Sequence, residues 1–364
     1  MAEETPILEP KKSGTTKTVI PTSHVDTIHD ATFDFSGQRL ATCSADQHVC
    51  VWDTKADGQW ECTTKFPAHK GPIWRIDWAH PQFGQLLVTC SFDCCVSIWQ
   101  ENTRIDSAGK HTLQWDKEIT RLDSQSSVSD VRFAPHYYGL KFASCSYNGY
   151  VRIYEAKDIM RLNDWTLSHE FQSLNGASSI CWSQSSLFHM LLAVGSDDPN
   201  AAAKHIGIYQ LHVPSNKWRS ILDEQTENVF RKVNDISFAN WMGRSYHSLA
   251  VGGIGLYVVK IKPLENSSSA ESDFHYTFQH IPLREVDKQV VEVWRVHWNI
   301  TGDMLIASTN ERRVTIWKQA GPNNFEIVKE LVASHDSFIP APINPAFQTG
   351  LTAAKQDLPH QETS

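Results

Sequence analysis

One phrase recurs six times along this chain, and that repetition constrains the fold more than any other feature. Each copy runs as an apolar strand, a turn, a second strand of small residues between branched ones, a polar corner, and an alternating strand that closes on an aromatic. The copies are HDATFDFSGQRLATCSADQHVCVWD (29–53), PIWRIDWAHPQFGQLLVTCSFDCCVSIWQ (72–100), SVSDVRFAPHYYGLKFASCSYNGYVRIYE (127–155), an interrupted copy over 178–210, VNDISFANWMGRSYHSLAVGGIGLYVVKI (233–261) and EVWRVHWNITGDMLIASTNERRVTIWK (292–318). They close on Trp52, Trp99, Tyr154, Tyr209, Val259 and Trp317, at spacings of 47, 55, 55, 50 and 58 residues. Copy four carries an insertion at Pro199-Asn200, and copy five has lost its closing aromatic.

Each copy supplies three strands. The runs LATCS, LVTCS, FASCS, LAVGS, LAVGG and LIAST place small side chains where strands crowd towards a common centre. Asp46, Asp93, Asn148 and Asp197 sit at the polar corner, where short polar side chains stabilise turns. A fourth strand follows each closing position, over 58–67, 112–122, 165–173, 217–225, 274–281 and 324–332. Radial repetition of four-stranded units is the pattern of a β-propeller, here all-β with six blades. A composition of 41% hydrophobic and 20% charged residues, with 13 Trp, suits such a core.

The strand count leaves a remainder. Six blades use the six copies and their trailing strands, yet residues 15–28 contain a further strand-like run, Lys17-Thr18-Val19-Ile20. Either the ring has seven positions with the last one vacant, or residues 15–28 lie over a ring closed at six. An open ring exposes strand edges and apolar flanks that require cover, and a partner can supply it by adding strands. The expected organisation is a disordered tail over 1–14 and one propeller domain over 15–338, followed by a second tail over 339–364. Within the domain, the first strand spans 15–28 and the blades span 29–68, 69–123, 124–174, 175–226, 227–281 and 282–338.

Phrases beyond the generic repeat carry a family resemblance: HDATFDFSGQRLATCSADQ (29–47), AHPQFGQLLVTCSFD (79–93), FAPHYYGLKFASCS (133–146), VRIYEAKDIM (151–160), AVGSDDPNAAAK (193–204) and VWRVHWNITG (293–302). They resemble the WD-repeat family of Sec-thirteen and Seh-one type over roughly residues 24–332, with the Seh-one branch favoured by the copy-four insertion. The resemblance implies an open six-bladed propeller without catalytic activity, completed by a β-blade from a helical nucleoporin of the Nup-eighty-five type. It implies a place among the other subunits of the Y-shaped outer-ring complex of the nuclear pore. It also implies a second pairing, with a Mios-type subunit of the SEA/GATOR complex upstream of TORC at the lysosomal or vacuolar surface. A vesicle-coat subunit of the Sec-thirteen kind and a closed-ring adaptor that reads peptides are the alternatives.

On this reading the groove for the donated blade is expected to involve Thr18, Val19, Ile20, Phe33, Phe35, Trp294 and Trp298. Structural positions of the repeat are expected at His29, Asp46, Trp52, His69, Asp93, Trp99, Asn148, Tyr154, Tyr209 and Trp317, with His280 as a further upstream histidine. In such repeats the histidine bonds the corner carboxylate and ties the sheet together.

No motif points to catalysis or a cofactor. Gly252-Gly253-Ile254-Gly255 is the nearest approach to a phosphate loop, but it leads into LYVVKI and reads as a tight strand connection. No GxSxG elbow occurs. Cys90, Cys94 and Cys95 lack the paired spacing of a zinc site, while Cys43, Cys90 and Cys145 fall at equivalent core positions of three copies. None of the eight Cys lies beyond residue 181, which suits reduced thiols better than a disulfide framework. A net charge of −8, with basic clusters as short as Lys11-Lys12 and Arg312-Arg313, argues against direct nucleic-acid binding. No run approaches the roughly 18 apolar residues of a membrane span, and the acidic start MAEETPILEPKK has no secretory core.

Overall fold

Among the described residues the alternating runs form 24 strands in six antiparallel four-stranded sheets, each sheet a simple meander in chain order. The computed structural model describes residues 20, 22–105, 111–200, 202–264, 276–284 and 291–332. Blade one comprises Ile28–Phe33, Arg39–Ser44, His48–Thr54 and Trp60–Pro67. Blade six comprises Val293–Trp298, Met304–Thr309, Arg313–Gly321 and Asn324–Val332. The inner strands of blades two to five are Ile73–Trp78, Val128–Phe133, Ser179–Trp182 and Val233–Phe238. The trailing strand of blade four is short, Lys217–Ser220, and a turn of helix at Glu224–Glu227 follows it.

The corner residues act through backbone geometry. At the corner of blade three, Asn148 accepts from Tyr150 N–H, and Gly149 takes φ +81° with the Leu174 carbonyl so close that no Cβ would fit. The run around Gly252 ends one strand, His247–Gly253, and the next begins at Gly255–Pro263, so it is a strand connection.

Apolar clusters weld five of the six blade junctions. Ala41, Val49 and Val51 of blade one meet Ile73, Ile76, Trp78 and Trp99 of blade two. Equivalent clusters join blades two and three, three and four, four and five, and five and six. Among the described residues none joins blade six to blade one. Among the described residues the ring is open there, and at its axis the two blades meet through Arg295, whose Nη2 donates to the His29 carbonyl at 2.8 Å and lies 3.7 Å from Asp30.

The described part of the amino-terminal segment does not form the expected strand over 15–28. Residues 22–27 run as irregular backbone, Ile28 opens blade one, and Thr18 and Val19 lie outside the described residues. Side-chain traps hold the segment on blade one: Val25 N–H donates to Asp46, and Lys65 Nζ donates to the Ser23 carbonyl at 2.6 Å. Both tails likewise fall outside the described residues.

Candidate functional site

Two side-chain systems stiffen the ring and leave its open side as the candidate site. The first ties strands within a blade. In blade one His24 Nδ1 lies 3.1 Å from Asp46, its Nε2 lies 2.9 Å from Thr42 Oγ1, and Trp52 Nε1 donates to the same hydroxyl at 3.0 Å. A carboxylate only accepts, so Nδ1 carries the proton and Nε2 accepts from the threonine. Burial lowers the His24 pKa and keeps the ring neutral. Burial also pushes against the Asp46 charge, but the N–H groups of Val25 and His48 and the His24 ring hold its pKa below the usual range. Blade two repeats the arrangement with His69, Asp93, Thr89 and Trp99.

The histidine of blade one is therefore His24. His29 sits on the inner strand instead, its ring 4.6 Å from that of Trp74. His69 and His24 both lie four residues ahead of their first inner-strand residue, Ile73 and Ile28, and that common offset was the available signal. His280 is exposed on the outer strand of blade five and takes no such part. Later blades improvise: Tyr154 donates to Asp123 at 2.7 Å, Tyr209 to the Ser173 carbonyl at 2.9 Å, and Trp317 Nε1 to Thr315 at 3.1 Å.

The second system lines the axis. Arg75 Nη2 lies 3.3 Å from Asp235 and its Nε 3.6 Å from Asp130, and Arg132 Nε lies 3.4 Å from Asp130. Asp77 joins this cluster while accepting from Phe133 N–H at 2.8 Å. Burial, only partly offset by Arg132, raises the Asp77 carboxyl to about 6. The folded state thus binds more protons than the unfolded state between about pH 4 and 6, and this group's contribution to stability falls as pH rises through that window. Asp77→Asn keeps an acceptor for Phe133 and removes the titration. Its stability relative to the parent is expected to improve from pH 5 to pH 7 in denaturant unfolding, and an unchanged difference would contradict the assignment.

The open side is apolar on both flanks. The last inner-strand residue of every blade pairs with the equivalent residue of the second strand, as Phe33 with Leu40 and Trp78 with Leu87. In blades two to six that residue is buried against the preceding blade; Trp78 is 8% exposed. Phe33 has no preceding blade and is 56% exposed. Behind it, Leu40, Cys50 and Trp52 form a small cluster with Trp60 and Cys62; Ile20 of the amino-terminal segment packs on it, and Ser23 Oγ lies 3.2 Å from Cys50 Sγ. On blade six the matching flank carries Met304, Ile306, Val314 and Ile316, with Ile306 41% exposed, where the corresponding Leu86, Val88, Val96 and Ile98 of blade two are buried.

Of the expected groove residues, Ile20 and Phe33 therefore lie on the blade-one flank, and Trp294 is 51% exposed on the inner strand of blade six. Trp298 does not belong there. It is buried against blade five, packs on Phe325 and donates Nε1 to the Ser237 carbonyl at 3.0 Å. A β-bulge between Val293 and Arg295 breaks the alternation that made Trp294 and Trp298 look like neighbours on one face. Phe35 is exposed in the loop after the inner strand and stacks edge-on against His80 of the blade-two side, 4.8 Å away. Sequence reasoning missed Ile306 and Ile316, because a branched apolar residue in an alternating strand reads as core whichever side it faces.

Among the described residues no group of His, Cys, Asp or Glu is arranged to hold a metal, and no helix is long and apolar enough to cross a membrane. Comparison with known proteins agrees with the ring. The WD domain, G-beta repeat family matches residues 15–53, 60–100 and 116–155. Nucleoporin SEH1-A of Xenopus laevis is 40% identical over 314 residues, covering 85% of this chain and 86% of the relative. Nucleoporin SEH1 of Homo sapiens is 39% identical over 339 residues, 91% of each chain, and that of Danio rerio is 41% identical over 312 residues, 84% of this chain and 85% of the relative.

Proposed function

The chain belongs to the SEH1 nucleoporin family of WD-repeat propellers, and from that premise we propose that it works by accepting a β-blade from another protein. On this reading it is a non-catalytic scaffold subunit of the Y-shaped outer-ring complex of the nuclear pore. The donor is a helical nucleoporin of the Nup-eighty-five type. The observation that carries the reading is the pair of apolar flanks, Phe33 on one side and Ile306 with Ile316 on the other, at the one junction that no cluster of described residues closes. The chemistry this surface offers is strand pairing and apolar burial.

The same opening can hold one blade at a time. A Mios-type subunit of the SEA/GATOR complex at the lysosomal or vacuolar surface would therefore compete with the nucleoporin for each copy of the chain. Distribution between the two locations then follows from relative concentrations and affinities.

Thermal unfolding with and without the donor tests the proposal. A donor present at about 1,000 times its Kd adds about 4 kcal/mol to stability by linkage, a rise of roughly 5–10 °C for a domain of this size. Equal melting temperatures would defeat it. Affinity purification from cells supplies the second readout. Co-purification with vesicle-coat subunits in place of nucleoporins would favour the Sec-thirteen-like alternative.

A further inference from the structure

The five closed junctions follow an alternating rule. At each one, a backbone N–H of the incoming inner strand donates to a side chain of the preceding blade. Ile76 donates to Asp30 at 3.3 Å, Phe133 to Asp77 at 2.8 Å, Ile180 to Asp130 at 3.0 Å, Phe238 to Cys181 Sγ at 3.2 Å, and Val296 to Asp235 at 3.0 Å. By strand register, Asp30, Asp130 and Asp235 stand at the third inner position, and Asp77 and Cys181 at the fifth. The closing residue alternates in step. Blades one, three and five end on Phe33, Phe133 and Phe238, and the even blades end on Trp78, Trp182 and Trp298. Each of these Trp donates Nε1 to the fifth-position carbonyl of the blade before it, at Thr32 (3.1 Å), Arg132 (3.1 Å) and Ser237 (3.0 Å).

Both halves of the next step in this series are unused. Blade six is due to offer its fifth position, which is His297, opposite Ile306 in the exposed flank. His297 Nδ1 lies 2.7 Å from the Trp298 carbonyl. A carbonyl only accepts, so in the neutral ring Nδ1 carries the hydrogen and Nε2 keeps a bare lone pair. Blade one is due to receive in the manner of Phe133 and Phe238. No described residue accepts from the Phe33 N–H.

We propose that His297 and the Phe33 N–H are the two axial docking points for the donated blade. The proposal rests on the blade-donation reading above. The inner strand of the donor places its last-position N–H on His297 Nε2. The residue before it carries a compact side-chain acceptor, a carboxylate or thiol as in Asp77 and Cys181, which takes the Phe33 N–H. The donor is thus recognised by an acceptor followed by a large apolar residue at the end of its inner strand, not by apolar area alone.

Calorimetric titration of the full chain with the Nup-eighty-five-type donor decides the matter, using His297→Leu and His297→Asp. Leucine leaves a buried N–H without an acceptor, and a loss of affinity of about 10- to 100-fold is expected. Aspartate stands as Asp77 does in blade two and should bind within about threefold of the parent. Amide exchange at Phe33 should slow when the donor is bound. If the parent binds and the leucine variant binds equally well, the docking assignment is wrong while blade donation stands. If the parent itself fails to bind, the underlying reading falls. If the leucine variant alone melts several degrees lower without donor, His297 already closes the ring on Phe33, and the assignment to a donor is overturned.

Discussion

Ile306→Asp combined with Ile316→Asp is expected to lower affinity for a blade donor about a thousandfold while leaving the free propeller folded. The two residues face each other across the second and third strands of blade six. In blades one to five the same pair is Ala41 and Val51, Val88 and Ile98, Ala143 and Ile153, Ala193 and Ile208, and Ala250 and Val258, all buried by the following blade. A donor would bury Ile306 and Ile316 in the same way. Each substitution removes about 1 kcal/mol of apolar burial and forces a carboxylate into a desolvated contact at a cost of about 1–3 kcal/mol. The low end of that range, about 4 kcal/mol for the pair, already corresponds to the stated loss. In the free chain both sites are partly or largely solvent-facing, so the change in stability stays near 0.5 kcal/mol per site. Calorimetry and circular dichroism on one preparation separate the effects. Undiminished binding would place the interface elsewhere, and a collapsed melting temperature would mean that the flank is already covered.

The architecture was legible because the repeat encodes it locally. Period-two alternation, small-residue second strands and polar corners fix each sheet, and the trailing strand at 324–332 coincides with Asn324–Val332. The site was less legible, for three physical reasons. A bulge shifts side-chain parity without leaving a mark in the apolar pattern, so Trp294 and Trp298 were grouped although they part company. His29 opens the first repeat phrase, so it stood in for His24, which lies five residues upstream. The run at 15–28 has strand-like composition, but among its described residues His24 and the Val25 N–H bond Asp46 and the Ser23 carbonyl accepts from Lys65, and those local bonds outweigh propensity. The axial alternation could have been read from Phe and Trp at the ends of the inner strands. Its partner bonds connect residues about 50 apart and depend on how the blades are packed.

Arg75→Met is expected to cost about 3–5 kcal/mol, because it leaves buried Asp235 without its ion-pair partner and Asp130 with Arg132 alone. Arg75 reaches across the axis from blade two to Asp130 of blade three and Asp235 of blade five. Both carboxylates also accept the N–H that clips the next blade, Ile180 and Val296. Methionine fills much the same volume but brings no charge, so the deficit measures electrostatics more than packing. Burial already raises the Asp235 pKa, and Arg75 is the first group that opposes the rise. Without it the folded state takes up protons more readily than the unfolded state, so acidification relieves the strain. The stability gap between variant and parent should therefore narrow from pH 7 to pH 5. Groups such as Asp46 and Asp93, whose folded pKa is depressed, lose their contribution on acidification in both proteins and cancel in the comparison. Adding Asp130→Asn and Asp235→Asn to Arg75→Met keeps both clip acceptors and removes both charges. That triple variant should recover most of the loss at pH 7. A gap that is constant with pH, or a triple variant no more stable than Arg75→Met alone, would show that Arg75 holds the axis by packing, and the charge argument for a ring clipped strand to strand would fail with it.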